Sequence, residues 1–263
     1  MEVSNEMVRI ESHDNVLVAT LGRGVQNTID DAFADAIERA LDEAQRRGAA
    51  LLHLRTATPH FCGGADPARV ARWLEEGGDE ALRSDGDRWA SLFRRIEQQE
   101  TIVFAEVKGN ALGAGLGLAL ACDLRIVSAA ARIGVPEVRV GLLPAGMTVD
   151  RLVGLAGMVA AQRLLLGGDI IDGTEAFRLG LAHWIAPENE LESQADALVK
   201  RVAKQSVPAL REAKRLLAAS RRNGREEAGA VEAQAFHRLI NDEEPRDRIR
   251  KLLVRLAAAA AAK

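Results

Sequence analysis

The chain has 263 residues, with 35 Lys and Arg against 38 Asp and Glu, and 48% of it is hydrophobic. That length suits one large domain, or one domain with an appendage, and the apolar share is enough for a sizeable core. The slight acidic excess gives no support to a strongly basic nucleic-acid surface, and no stretch approaches the roughly 18 apolar residues of a membrane span.

In chain order, the start "MEVSNEMVRIESHD" has neither a basic nor an apolar stretch, so no signal peptide is expected. "NVLVATL" (15–21) reads as a strand. "DDAFADAIERALDEAQRR" (30–47) places Phe33, Ile37, Leu41 and Ala44 on one helical stripe, with Asp30 and Asp31 at the positive end of the helix dipole. "AALLHLRT" (49–56) has strand character, and strand, helix, strand in succession predicts an α/β core. Residues 66–100 are polar, predicted helical at both ends and mobile around "EEGGDE". "TIVFAEV" (101–107) and "LRIVS" (124–128) are strands on either side of a glycine turn and apolar helix, "GNALGAGLGLALACD" (109–123). Residues 133–146 are irregular, broken by Pro136, Gly141 and Pro144. "DGTE" (172–175) reads as a capping box, and "LAHWIA" as a brief strand. From about residue 189 strand signals vanish, and Pro208 suits the first turn of a helix. The expected division is 1–188 as the α/β core and 189–263 as a helical region.

Only 3% of residues are aromatic and none is tyrosine, so the core must be aliphatic and no tyrosine can serve as an acid. Cys62 and Cys122 suit a reducing compartment rather than a disulfide framework, and the expected location is cytoplasmic. His53, His60, His183 and His237 have no mutual metal-ligand spacing, so no metal site is expected.

The glycine turn admits several readings. Gly113, Gly115 and Gly117 give G-x-G-x-G, one residue short of the dinucleotide fingerprint, and Glu137 follows Pro136 rather than closing a strand. A Walker loop needs Lys and Ser or Thr after its last glycine, where Leu118 stands. Packing alone remains open. So does a second role, because "HFCGGAD" (60–66) also places small residues after a strand. Two such junctions can aim two backbone N–H groups at one point, as an oxyanion hole does.

The two segments together resemble the enoyl-CoA hydratase/isomerase (crotonase) family. "HFCGGAD" is similar to its F-C-x-G-x-D. "AEVKGNALGAGLGLALACDLRIVSAAARIGVPEVRVGLLP" is similar to its A-x-x-x-G-x-A-x-G-G-G-x-x-L-A-x-x-C-D run followed by P-E-x-x-x-G-x-x-P. "LLLGGDIIDGTEAFRLGLAHWI" and Asn27 in "NTI" continue the match. The resemblance implies a spiral of ββα units, a C-terminal helical trimerisation region, homotrimers or hexamers, and acyl-CoA thioester substrates. No separate cofactor is implied, since the substrate carries coenzyme A. The implied oxyanion hole is the backbone N–H of Ala65 and Ala114. Arg23 is the implied contact to CoA phosphates, and backbone near Cys62 and Gly63 lines the implied adenine pocket.

Hydratases of the family hold water between two glutamates. One matches Glu137; the other matches Gly117, which has no side chain. A single glutamate suffices for a Δ3-to-Δ2 double-bond shift, the expected reaction. The alternatives are a hydratase with its second carboxylate from Asp66, Asp87 or Asp150, and a noncatalytic acyl-CoA or RNA-binding member. Aspartates that mark dienoyl-CoA and dehalogenase branches are absent at Gly117 and Ala145. Met147 and Thr148 replace two family glycines, which would narrow the acyl pocket or position a polar group of the substrate. The tail "NDEEPRDRIRKLLVRL" lacks the family's usual ending, which puts a CoA contact from a neighbouring tail in doubt.

Overall fold

A computed structural model describes residues 7–66, 68–70 and 79–222, with scattered positions from 234 to 254. The expectations for His237, for most of "EEGGDE", and for the helix beyond residue 222 fall wholly or largely outside the described residues. Two compact units divide at Met1–Lys200 and Arg201–Lys263. The first contains the sheets, the core and every proposed site residue.

Its main sheet runs in the order β1 (Val8–His13), β2 (Val16–Leu21), β3 (Leu51–Thr56), β4 (Ile102–Val107), β6 (Leu124–Ser128), β9 (Trp184–Ala186). Only the β1–β2 hairpin is antiparallel. Strands β2 and β4 are buried at every position, which is why they read as near-continuous apolar runs, interrupted by Thr20 and Glu106, rather than alternating ones. One face carries Leu17, Ala19, Leu52, Leu54, Val103 and Ala105 into the main core. The other carries His53 and Glu106, with Nε2 and Oε2 3.1 Å apart and both side chains buried.

Helix α1 (Asp31–Arg46) packs its predicted stripe of Phe33, Ile37, Leu41 and Ala44 into that core. Asp30 caps it by accepting a hydrogen bond from the Phe33 N–H at 2.9 Å, satisfying one of the free donors of the first turn. Helix α2 spans Asp79–Gln98. Helix α3 (Ala114–Ala121) follows the glycine turn and is buried all round, so it presents no polar face and no amphipathic stripe.

A second sheet, β5 (Asn110–Leu112), β7 (Arg132–Gly134) and β8 (Ile170–Asp172), has strands of three residues each. A 3-10 helix, Pro136–Val140, and helix α4 (Thr148–Leu166) leave this sheet. The segment expected to be irregular at 133–146 therefore begins with a strand and a 3-10 turn. Asp172 caps α5 (Gly173–Arg178) through the Glu175 N–H, half of the capping box expected there. The other half is missing, because the Glu175 carboxylate pairs with Arg163 and Arg178.

Helix α6 (Leu191–Ala203) begins near the expected change of character at 189. In the second unit, helix α7 (Val207–Arg222) carries Pro208 in its first turn. Among the described residues no helix is long and apolar enough to cross a membrane.

Candidate active site

Strand β5 is the spine of the site. On one side Cys62 bridges to Ala111: the Cys62 N–H donates to Asn110 O at 2.9 Å, and the Leu112 N–H donates to Cys62 O at 3.1 Å. On the other side β5 pairs in parallel with β7, matching Leu112 to Gly134. The Gly113 N–H extends this ladder by donating to Gly134 O at 2.9 Å. Three residues after Gly134 comes Glu137, so the β5–β7 register delivers its side chain to the glycine turn.

Two glycines make the turn possible. Gly113 has φ of 54°, a left-handed value that favours glycine. A β-carbon there would also collide with the Glu137 carboxyl oxygen Oε1. Gly115 sits so close to the Cys62 carbonyl that a β-carbon would overlap it. The start of α3 is thereby pressed onto the "HFCGGAD" strand.

That strand aims its own N–H in a fixed direction. Ala65 forms a parallel bridge with Ile29, in which Ile29 bonds to the two neighbours: its N–H to Gly64 O at 2.7 Å, and its carbonyl from the Asp66 N–H at 3.2 Å. In a parallel bridge of this kind, the N–H of the central residue points away from the partner strand. A β-carbon built on Gly64 would lie 3.6 Å from the Ala114 nitrogen, so the residue before Ala65 abuts the first residue of α3. Among the described residues, neither the Ala65 nor the Ala114 N–H has an acceptor. For Ala114 this is the ordinary state of a first-turn donor.

Glu137 is half-buried against Gly113. Burial pushes its pKa above the ordinary glutamate range, partly offset by a hydrogen bond from its own backbone N–H. Its Oε2 is buried without a hydrogen-bond partner. A carboxyl held next to unpaired backbone donors, with one oxygen uncommitted, can take and return a proton.

The other sequence-derived residues are placed as follows. Arg23 lies beside this loop, but its guanidinium is engaged: it pairs with Asp30, lies 3.5 Å from Asp66, and donates to Thr28 O. Cys62 is buried, and burial pushes its thiol up to about 12, so it is no nucleophile at neutral pH. Its backbone N–H is spent on Asn110, and that of Gly63 on Gln26 O at 2.7 Å. Asp66 is desolvated, yet hydrogen bonds from Ala68, Thr28 and Arg69, with the charge of Arg23, hold its pKa low. Asp150 is exposed, and the side chain of Asp87 is outside the described residues. His60 Nδ1 accepts from the Asn110 N–H at 3.0 Å, and His183 Nδ1 from the Arg125 N–H at 3.0 Å, so both serve the local backbone.

The expectation that Thr148 could position a substrate group does not hold. Its side chain is fully buried, and its hydroxyl donates to Ala145 O at 2.7 Å. What sequence reasoning missed is the neighbour it shares with Phe93. A β-carbon on Gly117 would strike Thr148 Oγ1 and come within 2.9 Å of Phe93 Cε2. Residues 93, 117 and 148 meet only through the packing of α2, α3 and α4, and no local motif marks that meeting.

The fold is α/β, and the glycine turn carries a half-buried carboxyl with the Ala65 and Ala114 N–H groups on adjoining segments. The enoyl-CoA hydratase/isomerase family profile matches residues 11–253. The chain is 34% identical over 176 residues to the crotonyl-CoA hydratase of Syntrophomonas wolfei, covering 67% of this chain and 66% of that one. It is 29% identical over 250 residues to the short-chain-enoyl-CoA hydratase of Clostridium acetobutylicum, covering 94% of each. Among solved structures, Pseudomonas aeruginosa DspI superposes with a TM-score of 0.89 at 27% identity, over 97% of this chain and 98% of that one. The chain belongs to the enoyl-CoA hydratase/isomerase family, and the architecture described above is its crotonase-like fold.

Proposed function

We propose that the protein is an acyl-CoA enzyme that moves a double bond from the Δ3 to the Δ2 position of an enoyl-CoA thioester. Glu137 removes a proton from C2, and the electron pair delocalises through C1 onto the thioester oxygen. The resulting dienolate is stabilised by the Ala65 and Ala114 N–H groups, fixed donors that need no reorganisation as charge develops. The positive end of α3 adds to this stabilisation. Glu137 then returns the proton at C4, and the double bond lies between C2 and C3.

The observation that carries this reading is a half-buried carboxyl set against Gly113 through Oε1, its Oε2 without a hydrogen-bond partner, beside two N–H groups that have no acceptor among the described residues. Removing a donor of this kind costs about 2.7–4 kcal/mol of transition-state stabilisation in other enzymes. The CoA moiety is the only carrier the reaction needs. Its proposed path runs along residues 62–63, with Arg23 reaching phosphate by exchanging Asp30 and Asp66 for it. Exposed apolar side chains of the first unit, Val140, Leu143, Val159 and Leu166, support assembly as a homotrimer or hexamer.

The names of the relatives favour a second reading, hydration of a 2-enoyl-CoA with a carboxylate other than residue 117. Asp66 and Asp150 are weak partners for it, the first tied down by hydrogen bonds and the second exposed.

The test is to follow conjugated enoyl absorbance with 3-hexenoyl-CoA. Replacing Glu137 by Gln is expected to slow conjugation by about 10²–10⁴-fold. An unchanged rate would remove Glu137 from the chemistry. Crotonyl-CoA hydration that survives Glu137→Gln and is lost with Asp66→Asn would favour the second reading.

A further inference from the structure

Gly113 caps α3 with backbone angles outside the helical region, and Gly117 lies one turn into the helix, its N–H donating to Gly113 O at 3.0 Å. A β-carbon at Gly113 would meet the Glu137 carboxyl; one at Gly117 would meet Thr148 Oγ1 and the Phe93 ring. Gly117 therefore leaves no vacancy where its side chain would be. The space is filled from two other helices.

The filling is held in place on several sides. Phe93 and Thr148 are both fully buried. Gly146 also presses on the ring: a β-carbon there would come within 2.6 Å of Phe93 Cε2. Arg151, itself 2% exposed, lies over the ring with its guanidinium carbon 5.6 Å from the centroid. A bidentate pair with Glu97, both bonds 2.8 Å, and a hydrogen bond to Gly146 O fix that guanidinium. The atom nearest a β-carbon at Gly117, the Thr148 hydroxyl oxygen, already spends its proton on Ala145 O.

We propose that Phe93 and Thr148 are specificity-determining residues that close the Gly117 side of the site against a second carboxylate and the water it would hold. Adding water to a 2-enoyl thioester forms a C–O bond at C3, transfers one water proton to a base, leaves the other on the new hydroxyl, and places a proton from an acid on C2. An aromatic edge offers that water nothing, and the neutral Thr148 hydroxyl, already donating to Ala145 O, can accept a hydrogen bond but is no base to take the water's proton. A dienolate formed beside this wall is reprotonated by Glu137, and the outcome is a proton shift rather than hydration. The inference rests on the reading of Glu137 as the single acid/base.

The experiment separates the two ideas by measuring both products and thermal stability. Wild type, Gly117→Ala, Thr148→Ala and the Gly117→Ala/Thr148→Ala pair are melted, which tests the wall without reference to any reaction. The expected result is non-additivity: the methyl at 117 lowers Tm by several degrees in the wild-type background, and by less than half as much once Thr148 is trimmed. Additive shifts would overturn the packing claim. Gly117→Glu is then compared with Gly117→Glu/Phe93→Leu/Thr148→Ala, using crotonyl-CoA with product detection by mass spectrometry.

The wall predicts that Gly117→Glu alone yields no more 3-hydroxyacyl-CoA than wild type, while the relieved variant yields at least about tenfold more. The single variant hydrating as fast as the triple, or a folded triple gaining nothing, would overturn the proposal. Should the triple fail to fold, the melting cycle and the single variant still decide it. Failure of the single-glutamate reading is read separately, as conjugation of 3-hexenoyl-CoA by wild type that is indifferent to Glu137→Gln.

Discussion

The two ends of one turn of the glycine segment differ in how much of their bonding capacity is used. Around Gly113 it is held open: among the described residues the Ala65 and Ala114 N–H groups have no acceptor, and Glu137 Oε2 has no hydrogen-bond partner. Around Gly117 it is closed, with an aromatic ring and a hydroxyl whose proton is already donated. The same residue type does opposite work at the two positions. At 113 glycine gives a left-handed turn and room for a carboxyl; at 117 it yields its space to neighbouring helices. The first end is costly to stability and useful to chemistry, and the second is the reverse.

The largest expected effect, after loss of Glu137 itself, comes from closing the open end. Ala114→Pro deletes one N–H at the first position of α3, where proline is otherwise tolerated because that donor has no intrahelical partner. Turnover is expected to fall about 10²–10³-fold, with the Tm within a few degrees of wild type. Full activity in a folded Ala114→Pro protein would remove Ala114 from the oxyanion hole.

A smaller effect sharpens the contrast through pH. On the proposed mechanism Glu137 must be ionised to accept the C2 proton, and burial raises its pKa. The kcat/KM profile is therefore expected to climb with pH through a limb above the ordinary glutamate value, and that limb should vanish in Glu137→Gln. Stability runs the other way. A carboxyl whose pKa is raised in the folded state contributes stability below its unfolded pKa, and loses it as pH rises through the folded value. Glu137→Gln should accordingly melt higher than wild type at neutral pH and gain less at pH 4.

The smallest effect concerns Cys62, which touches the turn without taking part. Its thiol, pushed up to about 12 and fully buried, is expected to resist iodoacetamide at pH 7.5 in the folded protein and to react once the protein is unfolded. Rapid alkylation of the native enzyme with loss of activity would place the sulfur within reach of the substrate path.

The long elements were legible because their burial is regular. Strands β2 and β4 are buried at every position and apolar at all but Thr20 and Glu106, and α1 repeats its stripe. Strand β1 was missed because its residues after Val8 are largely exposed and carry no run. Strands β5, β7 and β8 are three residues long, too short for any period to register, yet β5 and β7 set the geometry of the site. Helix α4 has no clean stripe and is interrupted at Gly157, where φ is 80°.

Glu137, Ala65 and Ala114 were singled out as candidates through motifs, since each belongs to a local run of distinctive residues. The contact of Glu137 with Gly113 was not, because it depends on the β5–β7 register. The engagement of Arg23 with Asp30 and Asp66 was equally hidden, as a motif names the residue and not the direction of its side chain.

The central claim is that one carboxyl moves the proton while two backbone donors hold the charge. It is tested most directly by the rate at which wild type and Glu137→Gln conjugate 3-hexenoyl-CoA, with crotonyl-CoA hydration measured on the same preparations. The account predicts conjugation by wild type, a loss of about 10²–10⁴-fold in Glu137→Gln, and little hydration by either. Wild-type hydration outrunning conjugation, or conjugation untouched by the substitution, would contradict it.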